Sequence, residues 1–123
     1  MTLQECYAAL GGDYAGVLSR LRSERLIQKF LLKFLEDDSY GQLCRAMQQQ
    51  DHQEAFRAAH TIKGICLNFG FTTLLQSSSA LTDSLRNGWS PESIPLAEQV
   101  TCDYQRTINA IQAFRQGANA EPH

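Results

Sequence analysis

A chain of 123 residues with 43% hydrophobic side chains and three prolines has the size of one compact domain with its own core. Its formal net charge of −2 offers no global attraction to nucleic acid or to an anionic membrane. The four scattered cysteines lack a C-x-x-C pair and the three histidines lack ligand spacing, which argues for reduced thiols and against a disulfide framework or a zinc site. No apolar run approaches about 18 residues and no basic-then-apolar leader opens the chain, so the expected compartment is the cytoplasm.

In chain order, Thr2 to Leu10 sets Leu3, Cys6, Tyr7 and Leu10 at helical spacing before Gly11-Gly12 breaks the pattern. Asp13 can cap a second short helix through Val17, Leu18 and Leu21. Both are too short to persist alone and must lie against something larger. Ser23 opens a third, Glu24 to Asp37, in which Leu26, Ile27, Phe30, Leu31, Leu32, Phe34 and Leu35 cover most of the circumference. Such a helix is expected to be sandwiched between neighbours. Ser39 with Gln42 reads as a capping box for a helix running to Gln50, lined by Leu43, Ala46 and Met47.

The next run, Asp51 to Gly70, is the most informative. Asp51 and Glu54 stand as an N-cap and its reciprocal N3 carboxylate, and Gly70 is a natural stop. On a wheel of about 100° per residue, Ala55, Ala58, Ala59, Ile62, Ile65, Cys66 and Phe69 form one stripe, and His60 falls almost opposite it. Gln53, Phe56, Arg57, Lys63, Gly64 and Leu67 share the side of His60. The imidazole should therefore face solvent between two cations one turn either way. Gly64 costs a helix about 1 kcal/mol relative to Ala, and on this face its missing side chain leaves room for another molecule. Phe56 and Leu67 are apolar where a solvated face should be polar, which suggests a docking surface together with Arg57.

Beyond Gly70, Leu74, Ser78, Leu81 and Leu85 stripe a helix that ends at Asn87-Gly88. Ser90-Pro91-Glu92 is a start signal for a last helix to about Gln116, with Ile94, Ala97, Val100, Thr101, Tyr104, Ile108, Ile111 and Phe114 inward. Residues 117–123 read as a disordered tail on a single domain spanning 1–116. No strand-period alternation occurs. The expected fold is all-α: an antiparallel up-and-down four-helix bundle of 39–50 (prolonged by 24–37), 53–69, 71–87 and 92–116, with the short N-terminal helices covering one end. The short turn at Gly70 sets the level of His60 near Ser79 to Thr82 of the following helix, whose hydroxyls either reach the imidazole or stand as plain helix surface.

At these residues the chain resembles the histidine-containing phosphotransfer (HPt) domains. His60-Thr61-Ile62-Lys63-Gly64, followed by Asn68-Phe69-Gly70-Phe71 and Leu74, is similar to their His-x-x-Lys-Gly…Gly-x-x-x-Leu signature. Asp13-Tyr14…Arg20…Phe30…Phe34 resembles the lead-in of many bacterial members, so the likeness spans roughly 13 to 116. The resemblance implies that His60 accepts a phosphoryl group from a receiver-domain aspartate and relays it to another receiver. Lys63 then serves for charge balance and Gly64 for steric access. It implies a response-regulator receiver domain and a hybrid sensor histidine kinase as partners. One departure stands out: many members carry Glu or Gln where Thr82 stands, and Thr82 brings a hydrogen bond but no charge.

The chemistry agrees with that reading. Neutral imidazole is a nucleophile near neutral pH. Phosphorylation would add a charge of about −1.5 to −2, which Lys63 at i+3 and Arg57 at i−3 are close enough to offset. The sequence has no Gly-rich phosphate loop, no nucleotide-binding motif and no βα alternation of a receiver. A monomeric phosphoryl carrier is expected, neither a turnover enzyme nor an autokinase, without a cofactor of its own; Mg²⁺ would belong to the receiver. The alternatives are a helical adaptor that binds a receiver without being phosphorylated, and a His-ligated metal or haem bundle. The last is disfavoured because bundle ligands point inward and His60 points out.

Overall fold

Helix starts and stops follow the capping chemistry of the sequence closely. The computed structural model describes residues 1–120, with side chains to residue 117. Among these residues the helices are α1 (Leu3–Leu10), α2 (Tyr14–Leu21), α3 (Glu24–Glu36), α4 (Ser39–Gln48), α5 (His52–Phe69), α6 (Thr72–Leu85) and α7 (Ser93–Ala120), with no strand. Thr2 and Glu5 form a reciprocal capping box on α1, and Asp13, Ser23 and Asp51 each accept a backbone N–H at the start of α2, α3 and α5. Gly11 and Gly70 end α1 and α5 in the left-handed region, at φ 74° and 72°, where a side chain would be strained.

Three expected details differ. The Ser39–Gln42 capping box does not form: Asp38 is the N-cap without a side-chain bond, and Ser39 is buried with its own N–H donated to Asp37 Oδ1 at 2.8 Å. Glu54 does not return to the N-cap of α5 but pairs with Arg57 at 3.4 Å. The last helix continues past Gln116 to Ala120, so 117–120 are helical rather than a disordered tail. A single Gly117 costs about 1 kcal/mol, too little to stop a helix otherwise built of Ala, Gln and Arg. Residues 121–123 of the expected tail lie outside the described residues.

Helices α4, α5, α6 and α7 pack in succession, and α7 returns to α4. The loops at 49–51 and 70–71 are too short for anything but antiparallel neighbours. Leu43, Ala58, Ile62, Leu74, Leu81, Leu85, Val100 and Ile111 fill the core among the four. The inward stripe expected for α7 holds at Val100, Ile111 and Phe114. Ile94 and Thr101 instead face out, beside the shallow α4–α7 seam lined by Leu43, Cys44 and Met47. The third helix is not sandwiched. It buries Ile27, Leu31 and Phe34 toward α2 and α7, and leaves Leu32 42% exposed.

The N-terminal helices close one end of the bundle by a specific device. The last carbonyls of an α-helix have no intrahelical donor. Here Arg20 donates to the carbonyls of Leu67 and Asn68, Tyr7 Oη to that of Phe69 at 2.7 Å, and the Asp13 N–H to that of Gly70 at 2.8 Å. Stacked Phe30 and Phe69 rings seal the same end at 5.1 Å. The C-terminus of α5 is thus held by its surroundings, which fixes the orientation of the whole helix and of whatever it displays.

Candidate functional site

The two faces of α5 separate as helical periodicity requires. Ala55, Ala58, Ala59, Ile62 and Cys66 are buried, while Ile65 and Phe69 are half-buried at the edge of the stripe. His60 is exposed near the middle of the outer face, far from both fraying ends. Its ring lies 6.0 Å from that of Phe56 with 29° between the planes, so the half-buried phenyl restrains one side of the imidazole. Thr61 donates its hydroxyl to the Arg57 carbonyl at 3.0 Å and turns back onto its own helix.

The other expected residues of this face are where the wheel puts them. A Cβ added to Gly64 would meet nothing within 4 Å, so close helix packing does not account for the glycine and the space above it is open. Leu67 is 61% exposed. Lys63 is half-buried and, among the described residues, in no ion pair. Arg57 is exposed and tied to Glu54, which lies one turn toward the N-terminus.

Ser79 and Thr82 correct the expectation. Neither hydrogen-bonds to His60 among the described residues. Thr82 is fully buried, and its hydroxyl donates to the Ser78 carbonyl at 2.7 Å, a bond within α6. Ser79 is half-buried on the rim. The face differs from the expectation: on a wheel of about 100° per residue Thr82 lies about 70° from the centre of the Leu74, Ser78, Leu81 and Leu85 stripe and turns into the core.

The position that the level argument missed is Arg86, one turn beyond Thr82. Its guanidinium stands 5.6 Å from the centroid of the Phe56 ring and is steadied by Asp83 at 3.2 Å. With His52, Gln53, Arg57 and Thr61 it completes a concavity of about 340 Å³ around Phe56 and His60. Arg86 sits in the last turn of the predicted 71–87 helix, where a cation reads as a helix-dipole complement; its angle, beside Ser79 and away from the Leu stripe, was the available signal. His52 also enters unannounced: its Nε2 is buried without a hydrogen-bond partner at the edge of this concavity. Cys66, on the inner face of α5, and Cys6, on α1 against α7, are inert by burial, which pushes Cys66 up to about 12 and Cys6 up to about 11. No group of three or more His, Cys, Asp or Glu side chains among the described residues is placed to hold a metal ion.

An exposed, ring-stacked imidazole beside an open glycine and three cations on a helical bundle has the chemistry to meet an external electrophile carrying negative charge. The Hpt domain family model matches residues 25–117, three-quarters of the chain. The chain belongs to the Hpt domain family. Histidine phosphotransfer in phosphorelays is therefore its general role. No curated protein and no solved structure matches the chain. This Hpt domain has among its described residues no helix long and apolar enough to cross a membrane. Its α1 and α2, which hold the end of α5, lie ahead of the matched segment.

Proposed function

We propose that His60 is the phosphoacceptor, taking a phosphoryl group from a receiver-domain aspartate and passing it to a second receiver. The observation that carries this is the outward imidazole at the middle of α5, with open space above Gly64. A solvent-facing ring nitrogen attacks phosphorus, the N–P bond forms as the acyl O–P bond breaks, and the aspartate leaves as a free carboxylate. The return step is the same exchange in reverse. Because the receiver supplies the phosphoryl group, its Mg²⁺ and the leaving carboxylate, this chain need only place a nucleophile and balance charge. It acts as a carrier and not as a turnover enzyme or autokinase.

Lys63, Arg57 and Arg86 surround the group that arrives. A phosphoryl charge of about −1.5 to −2 is offset by cations within one helical turn. Phe56 and Leu67 flank the imidazole, so a receiver that reaches it must cover them. Each buried side chain contributes roughly 1.5–3 kcal/mol before the costs of association. The partners are thus a receiver domain and a hybrid sensor histidine kinase, met by a monomer in the cytoplasm. The deciding experiment mixes the chain with a phosphorylated receiver. Acid-labile, base-stable phosphate should appear on wild-type protein and be absent from His60→Gln. A stable complex without transfer would make the chain an adaptor instead.

A further inference from the structure

Apart from the His60 face, exposed charge and exposed apolar surface coincide on α3. Five of the eleven Lys and Arg, but one of the thirteen Asp and Glu, lie between residues 20 and 33. That stretch carries +4 and the remainder −6 of the net −2. Arg20 is committed to the end of α5. Arg22, Arg25, Lys29 and Lys33 are all exposed, and among the described residues none is in an ion pair, whereas Arg45, Arg57 and Arg86 each have a carboxylate.

The arrangement works against the helix that bears it. Arg25, Lys29 and Lys33 follow one another at i+4, where like charges destabilise. Arg25 also lies in the first turn, where the macrodipole favours acids. Local stability does not account for this row. It runs between half-buried Leu26 and Leu32, which is 42% exposed, and these two leucines with Ser23, Arg25, Gln28 and Lys29 line a shallow depression of about 660 Å³. None of these residues lines the concavity of His60.

We infer that the outer face of α3 is a docking surface for an acidic, amphipathic segment of a protein partner. Carboxylates of that segment meet Arg25, Lys29 and Lys33 while an apolar side chain enters between Leu26 and Leu32. The opposite signs steer the encounter and the aliphatic contact gives it register. A bilayer fits less well, because surface helices insert a broad apolar face and here a single leucine stands strongly exposed. Single-stranded nucleic acid fits less well too, since no aromatic ring lines the concavity to stack a base.

The test uses the full chain and a fluorescein-labelled helical peptide with Glu at i,i+4 spacing and Leu on the adjoining face. Anisotropy is read at about 50 and about 300 mM salt. Wild type should bind, and binding should weaken at least about tenfold at the higher salt. Lys29→Gln/Lys33→Gln should weaken it several-fold, Arg25→Glu/Lys29→Glu should abolish it, and Leu32→Ser should weaken it equally at both salts. His60→Gln should bind as wild type, which separates this surface from phosphotransfer. Circular dichroism confirms that each variant is folded. No binding by wild type, undiminished binding by the charge-reversed protein, or equally tight binding to phosphatidylcholine vesicles containing phosphatidylglycerol or to an oligothymidylate would overturn the proposal.

Discussion

The two faces of α5 use one set of helical spacings for opposite ends. Inward, Ala55, Ala58, Ala59, Ile62 and Cys66 let α4 and α6 approach and exclude water. Outward, Phe56, His60, Lys63, Gly64 and Leu67 form a face whose glycine touches nothing and whose leucine is mostly exposed. Residues that are adjacent in sequence therefore answer to different pressures: Ile62 to packing density and, under the proposed function, Lys63 to charge and Gly64 to access. The rigidity of the inner face is what gives the outer face a fixed geometry.

Exchanging side chains across that divide should separate function from stability. His60→Gln should abolish phosphate uptake yet change unfolding free energy by no more than about 0.5 kcal/mol, as at other exposed positions. Ile62→Ala should do the reverse, costing about 2–5 kcal/mol in denaturant melts while the folded fraction still accepts phosphate. A large stability loss in His60→Gln would mean the ring is a packing element, and the comparison would fail. Gly64→Gln sharpens it further. The substitution should slow transfer from a receiver by about tenfold or more, about 1.4 kcal/mol of barrier, while propensity makes the helix slightly more stable. Transfer within twofold of wild type would show that the glycine keeps no path clear.

The end of α5 offers a subtler probe. Tyr7→Phe removes the donor to the Phe69 carbonyl and leaves a part-buried acceptor unmatched. It should cost about 1–3 kcal/mol by the penalty for an unsatisfied group. Because α1 would loosen from the bundle end, hydrogen exchange should rise first at the last turn of α5, away from His60. A uniform rise along α5 would show that the end cover and the site are one cooperative unit.

How far the sequence carried can be read from single residues. His60, Lys63, Gly64 and Leu67 were legible because each stands on a long helix with a strong apolar stripe, so an angle of about 100° per residue sufficed. The starts of α1, α2, α3 and α5 were legible within a residue for a related reason: their side-chain caps are local chemistry. What sequence could not show was tertiary. Tyr7 and Arg20 reach α5 carbonyls some 62 and 47 residues away, and no local pattern marks a side chain for that task. Arg86 becomes a site residue only through the antiparallel register that sets it over Phe56. Ser39 matched a capping box in letters, but burial claimed it for the core and Asp38 took the N-cap position.

Thr82 is the smallest and most discriminating case. The antiparallel turn at Gly70 led to the expectation that it meets His60, and the resemblance to Hpt domains pointed to a longer polar side chain at this position. In this chain its hydroxyl is spent within α6, on a carbonyl that already serves the helix ladder. Thr82→Val preserves shape and removes only that extra bond. The Ser78 carbonyl keeps its helical N–H, so no buried group is orphaned, and the change should lie within about 1 kcal/mol of zero. Transfer to and from His60 should stay within twofold, and the pH dependence of uptake should not move. A tenfold slower transfer in a fully folded Thr82→Val protein would require the hydroxyl to leave Ser78 and meet the imidazole when the receiver docks. The orienting contact would then be made in the complex, by a rotation of the Thr82 side chain that helical packing in the free protein holds back.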